Sequence, residues 1–407
     1  MSKLFLDAAA ARRLTELYGS PLYVYDEQVL RRRCREMKNL VTGVPFGVSY
    51  SAKANSNLAL LRIVHEEGLE ADAMSPGEIY LEQQAGFAPD QIFYIGNNVS
   101  ADEMRYAVAH GVTVSVDSLA QLELYGRVNP GGEVAVRFNP GVGVGHHAKV
   151  VTGGKKTKFG VQAEFVPQVK EICARHRLRL VGVNQHLGSL FLEPEQYLGG
   201  VRNFLTIAAQ FEGLRFIDLG GGFGVPYKPE EHRLDLGRLS AALNAEFQKF
   251  RAEYGADVRL KTEPGRYVVA ECGVLLGTVQ AVKENYGHTY IGTDIGMNVL
   301  MRPVLYDSWH EVTLLGREDE PAADAPVTVV GNICESGDIL ARDRMLPAAK
   351  EGDILAVSNA GAYGYSMASG YNCRLRPAEV LRGADGHYRL IRRRDTLEDL
   401  MRGFVTE

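Results

Sequence analysis

Cysteine is scarce in this 407-residue chain, and the little there is lies scattered. Cys34, Cys173, Cys272, Cys334 and Cys373 are odd in number and never spaced as CxxC. A disulfide framework or a structural zinc site is therefore not expected, and a reducing compartment fits better. Long apolar runs are missing too, and none approaches the roughly 20 residues that cross a bilayer as a helix. The N-terminal stretch MSKLFLDAAAARRLTELYG mixes acids and arginines and has no apolar core, so it reads as an amphipathic helix and not as a signal peptide. Positive charge is not in excess either: 45 Lys and Arg stand against 50 Asp and Glu, a net charge of -5, with no basic stripe. Nucleic acid and membrane surface are thereby excluded as expected main partners, and a cytoplasmic protein is expected. There is no internal repeat and no low-complexity tract.

What is present is an ordinary globular composition, 45% hydrophobic and 23% charged, long enough for one large α/β domain and a smaller one. Short β-branched or aromatic runs recur at Phe46–Tyr50, Glu70–Met74, Ile92–Ile95, Val112–Val116, Val134–Phe138, Val181–His186, Arg215–Leu219 and Val258–Thr262. Helical patterns separate them. Several open on a cap (Ser75 before Pro76, Ser100, Asp117-Ser118), and several close on glycine at Gly68, Gly86 and Gly111. Strands alternating with helices imply a parallel sheet, and eight such units in about 240 residues fit a (β/α)8 barrel. A two-layer α/β sandwich is the alternative this pattern leaves open. From about Val268 the texture becomes β-type with few helices, which predicts a mostly antiparallel β-domain. The expected division is a barrel over 27–267 and a β-domain over 1–26 and 268–407, with the early strand Leu22–Asp26 pairing into the latter. Arg317–Pro326, acidic and alanine-rich, reads as an exposed loop.

In a barrel of this kind, the C-terminal ends of the strands build the active site. The first ends in YSAKAN and places Lys53 at the mouth, where partial desolvation favours Schiff-base chemistry. Alone, it is more readily read as an ordinary loop lysine. The sixth ends in NQHLGS, offering His186 and Ser189, though a lone histidine is more often a hydrogen-bonded core residue. The seventh ends in DLGGGFGVP, whose glycines let backbone N–H groups converge on a phosphate; by itself it could be a tight turn. The run is not a GxGxxG fingerprint, because no acidic partner ends a following strand. The eighth ends in KTEPGRYV, bringing Glu263 and Arg266 together, as a structural ion pair also would. One ligand uses all four at once. Pyridoxal phosphate would sit on Lys53, its phosphate on the glycines, its ring against His186 and its ring nitrogen at Glu263.

These residues also carry a resemblance. YSAKAN, EADAMSPGEI, RFNPG, TKFG, HLGS, DLGGGFGVPY and EPGRYVV, followed by MRPVLYDSWH, CESGDILARDRMLP, AGAYGYSMASGYN and RLRPAEVL, span nearly the whole chain. It resembles the fold-type III, alanine-racemase-like pyridoxal-phosphate decarboxylases, and within them the diaminopimelate decarboxylase family. As a set the motifs are highly specific, although no single one is. The resemblance implies pyridoxal 5'-phosphate on Lys53 with Asp72 near it, and Arg137 and His186 bracing the ring. It places Ser189, Gly221, Gly222, the Glu263–Arg266 segment with Gly265, and Tyr363 around the phosphate. Arg266, Arg302, Tyr306, Glu335 and Tyr363 would bind substrate. Cys334 and Glu335 match residues that family members insert into the neighbouring subunit's site, which implies a homodimer with shared active sites. One stretch departs from the family wording: NPGVGVGHHAKVVTGGKKTKFG (139–160) lacks the acidic residue and Thr-His-Pro before the Thr-Gly. That loop lies over the site in the family, so the departure bears on substrate identity.

The implied reaction is decarboxylation of meso-2,6-diaminopimelate to L-lysine and carbon dioxide, with Lys53, His186, Glu263 and Cys334 as catalytic residues and no metal. Glu263 argues against an alanine racemase proper, which places an arginine at the ring nitrogen. Either Cys334 or Lys53 donates the proton to Cα. Ornithine-type relatives carry an aspartate after the cysteine to meet a distal ammonium. Here the motif is Cys334-Glu335-Ser336-Gly337-Asp338, which, with Arg302, favours a distal amino-acid group. The alternatives are a related diamino acid (carboxynorspermidine, ornithine or arginine, a siderophore precursor) or, in a different class, a non-catalytic pyridoxal-phosphate-binding barrel. The second domain speaks against that last reading.

Overall fold

A computed structural model describes residues 4–141, 144–145, 154, 157–255 and 257–405. The chain forms two compact units: Arg31–Val225 with His232–Val268, and Met1–Leu30 with Pro226–Glu231 and Val269–Glu407. Within the second of these lies the first strand of the chain, β1 (Leu22–Asp26).

Eight parallel strands form the barrel of the larger unit. They are β2 (Phe46–Ser51), β3 (Glu70–Ala73), β4 (Ile92–Tyr94), β5 (Thr113–Val116), β6 (Glu133–Asn139), β7 (Arg179–Asn184), β8 (Phe216–Asp218) and β9 (Arg259–Thr262). Each pairs with the next, and β9 pairs back onto β2 through Thr262 opposite Val48, so the sheet closes. Closure confirms the (β/α)8 barrel and removes the two-layer sandwich. The strand ends fall within about one residue of the sequence reading, apart from Val181–His186: the observed strand, Arg179–Asn184, is shifted by two and leaves His186 in the loop beyond it.

The barrel interior mixes polar and charged side chains with the Phe93 and Phe216 rings. Contacts between non-adjacent strands identify the inward positions. Ser115 Oγ on β5 donates to Asn184 Oδ1 on β7 at 2.6 Å. The Phe93 and Phe216 rings meet edge-on at 5.2 Å between β4 and β8. Lys261 on β9 pairs with Glu70 on β3 at 2.7 Å, its ammonium 5.3 Å from each of those two ring centroids. Residues two further along, Asp72 and Glu263, share the inward face nearer the mouth, because strand side chains alternate. The helices are set by their caps. Ser75 Oγ accepts from Glu78 N–H with Pro76 in the first turn, Ser100 and Glu103 form a reciprocal capping box, and Ser118 accepts from Gln121 N–H.

The smaller unit is built on an extended sheet. Strand β1 runs antiparallel to β10 (Gly273–Asn285) and parallel to β16 (Ala378–Arg382). β10 also pairs antiparallel with β11 (His288–Thr293) and β15 (Ile354–Val357). β11 lies parallel to β13 (Val327–Val330), which is antiparallel to β14 (Ile339–Arg344). β12 (Val312–Leu314) and β17 (Tyr388–Arg392) complete it as antiparallel partners of β15 and β16. The arrangement is mostly antiparallel, as expected. The N-terminal helix Ala8–Tyr18, capped by Asp7, packs Leu14 into a core of Leu22, Val24, Val274, Leu276, Ile354 and Val380. Among the described residues no helix is long and apolar enough to cross a membrane.

Candidate active site

Lys53 sits in a single helical turn, Ala52–Ala54, directly after β2. Its two alanine neighbours are fully buried and it is itself half-buried, so small side chains hold the amine close to the barrel mouth. The preceding residue, Ser51, anchors the turn. Ser51 Oγ donates to Asp72 Oδ2 at 2.6 Å, and Ser51 N–H to the Pro264 carbonyl at 3.3 Å. Gly265 makes this approach possible, since a Cβ there would lie 3.0 Å from both Ser51 Cβ and Ala54 Cβ.

Three carboxyl groups, Asp72, Asp218 and Glu263, are wholly or almost wholly buried. Burial raises the pKa of Asp72 against the pull of Lys53, the Ser51 hydroxyl, Lys261 and Arg137. It raises Glu263 well above the usual range, with Asp218 and Asp72 adding repulsion and Lys53 and Arg137 opposing. Arg137 is pushed down by its own burial and held up by Glu263, Asp117 and Asp72; its guanidinium lies 4.6 Å from the Phe159 ring centroid. These charges act on one another because they share one low-dielectric mouth. His186 belongs to it as well. Burial of its ring, then Lys53 and Arg137, hold its pKa well below the ordinary value. Its Nδ1 accepts from Gly221 N–H at 3.2 Å, so the neutral ring carries its hydrogen on Nε2.

The glycine run closes the site. Gly220 and Gly222 sit at φ 71° and 103°, a region open to glycine at little cost. The greater constraint is space. A Cβ would come within 2.2 Å of the Gln185 carbonyl oxygen at Gly220, 2.0 Å of the Glu263 oxygen at Gly221 and 2.6 Å of the Gly188 oxygen at Gly222. The ends of β7, β8 and β9 therefore meet backbone to backbone. Beside them Arg266 Nη2 donates to Ser189 Oγ at 2.9 Å.

This set fits pyridoxal phosphate. An amine among small residues can take up an aldehyde. Asp72 Oδ1 and Glu263 Oε1 are buried acceptors with no donor among the described residues, which suits a ligand bearing a cationic N–H. Arg137 Nη2 is a buried donor likewise without a partner among the described residues. Lys53, Asp72, Arg137, His186, Ser189, Gly221, Gly222, Glu263, Gly265 and Arg266 all lie in the larger unit. Sequence reasoning passed over Ser51 and Asp218 in roles of their own, although YSAKAN and DLGGGFG contain both.

Cys334, Glu335, Arg302, Tyr306 and Tyr363 belong to the smaller unit. Arg302 is almost fully buried: its Nη1 donates to His310 Nε2 at 2.7 Å and its guanidinium lies 4.7 Å from the Tyr227 ring centroid. Tyr306 ends the same short helix, Arg302–Tyr306. Cys334 and Glu335 are exposed. Cys334 N–H donates to Asn372 Oδ1 at 3.0 Å, and the Glu335 carboxylate accepts from the Tyr371 hydroxyl. Asp338 folds their loop by accepting from Ile333 and Met297 N–H at 2.7 and 2.6 Å. Tyr363 is held at φ 55°, an uncommon conformation for a residue with a side chain. Much of the divergent 139–160 stretch lies outside the described residues.

A model of the pyridoxal-dependent decarboxylase, pyridoxal binding domain, matches residues 27–270. Over 410 residues the chain is 43% identical to diaminopimelate decarboxylase of Methanothermobacter thermautotrophicus, covering 98% of this chain and 95% of that one. The chain belongs to the diaminopimelate decarboxylase family. The Escherichia coli family member is 36% identical over 97% of this chain and 96% of its own. Among solved structures, diaminopimelate decarboxylase from Helicobacter pylori complexed with L-lysine superposes with a TM-score of 0.88 at 32% identity, covering 96% of this chain and 98% of that one. A lysine/ornithine decarboxylase from Vibrio vulnificus complexed with putrescine, at 23% identity and a TM-score of 0.80, shares the fold.

Proposed function

We propose that this protein decarboxylates meso-2,6-diaminopimelate to L-lysine and carbon dioxide using pyridoxal 5'-phosphate. The observation that carries the reading is the barrel mouth, where Lys53 stands among Asp72, Glu263, Arg137 and His186 and their charges shift one another. Full-length similarity to diaminopimelate decarboxylases supports the substrate, and the family structure that holds L-lysine supports an amino-acid ligand.

When bound, the cofactor supplies an electron sink for the pair left at the substrate α-carbon by the departing carboxylate. Lys53 would hold the cofactor covalently and yield that bond to the substrate amine. Glu263 would face the ring nitrogen and keep its proton there, and neutral His186 would brace the ring, as would Arg137. Ser189, Gly221, Gly222, Gly265, Arg266 and Tyr363 would hold the phosphate. Arg266, Arg302, Tyr306, Glu335 and Tyr363 would bind the two amino-acid ends of the substrate. The α-carbon then takes one proton, from Cys334 or Lys53, and this balances the loss of carbon dioxide. Exposed Cys334 and Glu335, together with family precedent, support a homodimer in which this loop completes the neighbouring site, and the scattered free cysteines fit a cytoplasmic setting.

A carbon-dioxide release assay decides the substrate. The panel is meso-diaminopimelate, lysine, ornithine, arginine and carboxynorspermidine. Release from diaminopimelate with kcat/KM far above the rest is expected, and preference for any other member overturns the assignment.

A further inference from the structure

We propose that Asp218 is a positioning residue of this site, its carboxyl group holding the glycine turn against Glu263 and His186. The inference rests on the cofactor reading above and deepens it. Asp218 ends β8 with its side chain inside the barrel, fully buried. Its Oδ1 accepts from Gly220 N–H at 2.9 Å. The Gly220 carbonyl in turn accepts from Glu263 N–H at 3.0 Å, and the next residue, Gly221, donates to His186 Nδ1. The backbone carbonyl of Asp218 accepts from Gln185 N–H at 3.0 Å, which ties the same residue to the segment bearing His186. Glycines at 220, 221, 222 and 224 leave the turn entropically soft. A buried acceptor on its first N–H gives it one conformation.

The turn is backed from a second side. Tyr197 reaches it from the helix Pro194–Ala208, its hydroxyl donating to the Leu219 carbonyl at 3.2 Å. Asp218 and Tyr197 thus hold the N–H and the carbonyl of the peptide that leads into the first glycine.

Two variants test the hold. Asp218→Asn keeps an oxygen for Gly220 N–H, and Asp218→Ala removes it. Asp218→Ala should bind pyridoxal phosphate about tenfold more weakly than wild type, the scale of one buried hydrogen bond, while Asp218→Asn stays within about threefold. In the cofactor-free full chain, amide hydrogen exchange at Gly220 should quicken about tenfold or more in Asp218→Ala and stay near wild type in Asp218→Asn. Wild-type affinity or wild-type exchange in a folded Asp218→Ala protein overturns the hold on the turn, as does a loss in Asp218→Asn as large as that in Asp218→Ala. If wild type takes up no pyridoxal phosphate, the functional reading fails, while the exchange comparison, which needs no cofactor, still judges the turn.

Discussion

Glu82 lies in the helix Pro76–Ala85, wholly buried, and neither carboxyl oxygen has a partner among the described residues. Burial, then Asp72 and Glu78, push its pKa well above the usual value. An unfolded chain releases the same proton near pH 4.3, so between that pH and the folded pKa the native state binds one proton more than the unfolded state. The sign follows: Glu82's contribution is fully present below the unfolded pKa and is lost as pH rises through the folded one. The slope is up to about 1.4 kcal/mol per pH unit while the folded carboxyl stays protonated. Glu82→Gln keeps the shape and removes the titration. Its stability relative to wild type should grow by up to that amount for each unit above pH 5, or roughly 3–6 °C in Tm at 2–4 °C per kcal/mol for a unit of this size. Urea midpoints of both proteins at pH 5, 6, 7 and 8 measure the difference, and other titrating groups cancel in it. Parallel stability curves, or a glutamine variant that loses ground as pH rises, would refute the reasoning.

Glu263→Gln should still take up pyridoxal phosphate while kcat falls at least about a hundredfold, the scale of losing one preorganised electrostatic partner; carbon-dioxide release measures it, and full turnover would remove the ring-nitrogen role. Lys261→Met should cost about 3 kcal/mol in chemical denaturation, the low end for breaking a buried pair, because Glu70 keeps Arg259 at 2.5 Å; adding Glu70→Met should recover part of the loss. Mixing inactive Lys53→Ala and Cys334→Ala subunits should restore some activity through hybrid dimers, read by the same carbon-dioxide assay, and no recovery would count against a shared site.

The barrel was legible because its strands are buried on both faces or nearly so, and runs such as FGVSY and VAVRF carry that burial in their composition. The caps at Ser75, Ser100 and Ser118 were legible for a different reason, since capping is a local exchange between a side chain and the N–H three residues on. His186 was drawn inside a strand, but its own periodicity could not say that pairing with β6 ends at Asn184. The Lys261–Glu70 pair was invisible, because nothing in KTEPG or EADAM states that they face each other across a closed sheet. Arg302 was legible as a motif residue, but its neighbours were not: only the fold shows its guanidinium packed on Tyr227 and hydrogen-bonded to His310.

By itself, the order of residues determined which elements form and which chemistry-bearing side chains stand at strand ends, because caps, glycine turns and alternation act over a few positions. Only the closed barrel decided that three buried carboxyls share one mouth with a lysine, and that burial pushes the pKa of each upward. Desolvation and Coulomb forces depend on distance through space, which no stretch of sequence contains.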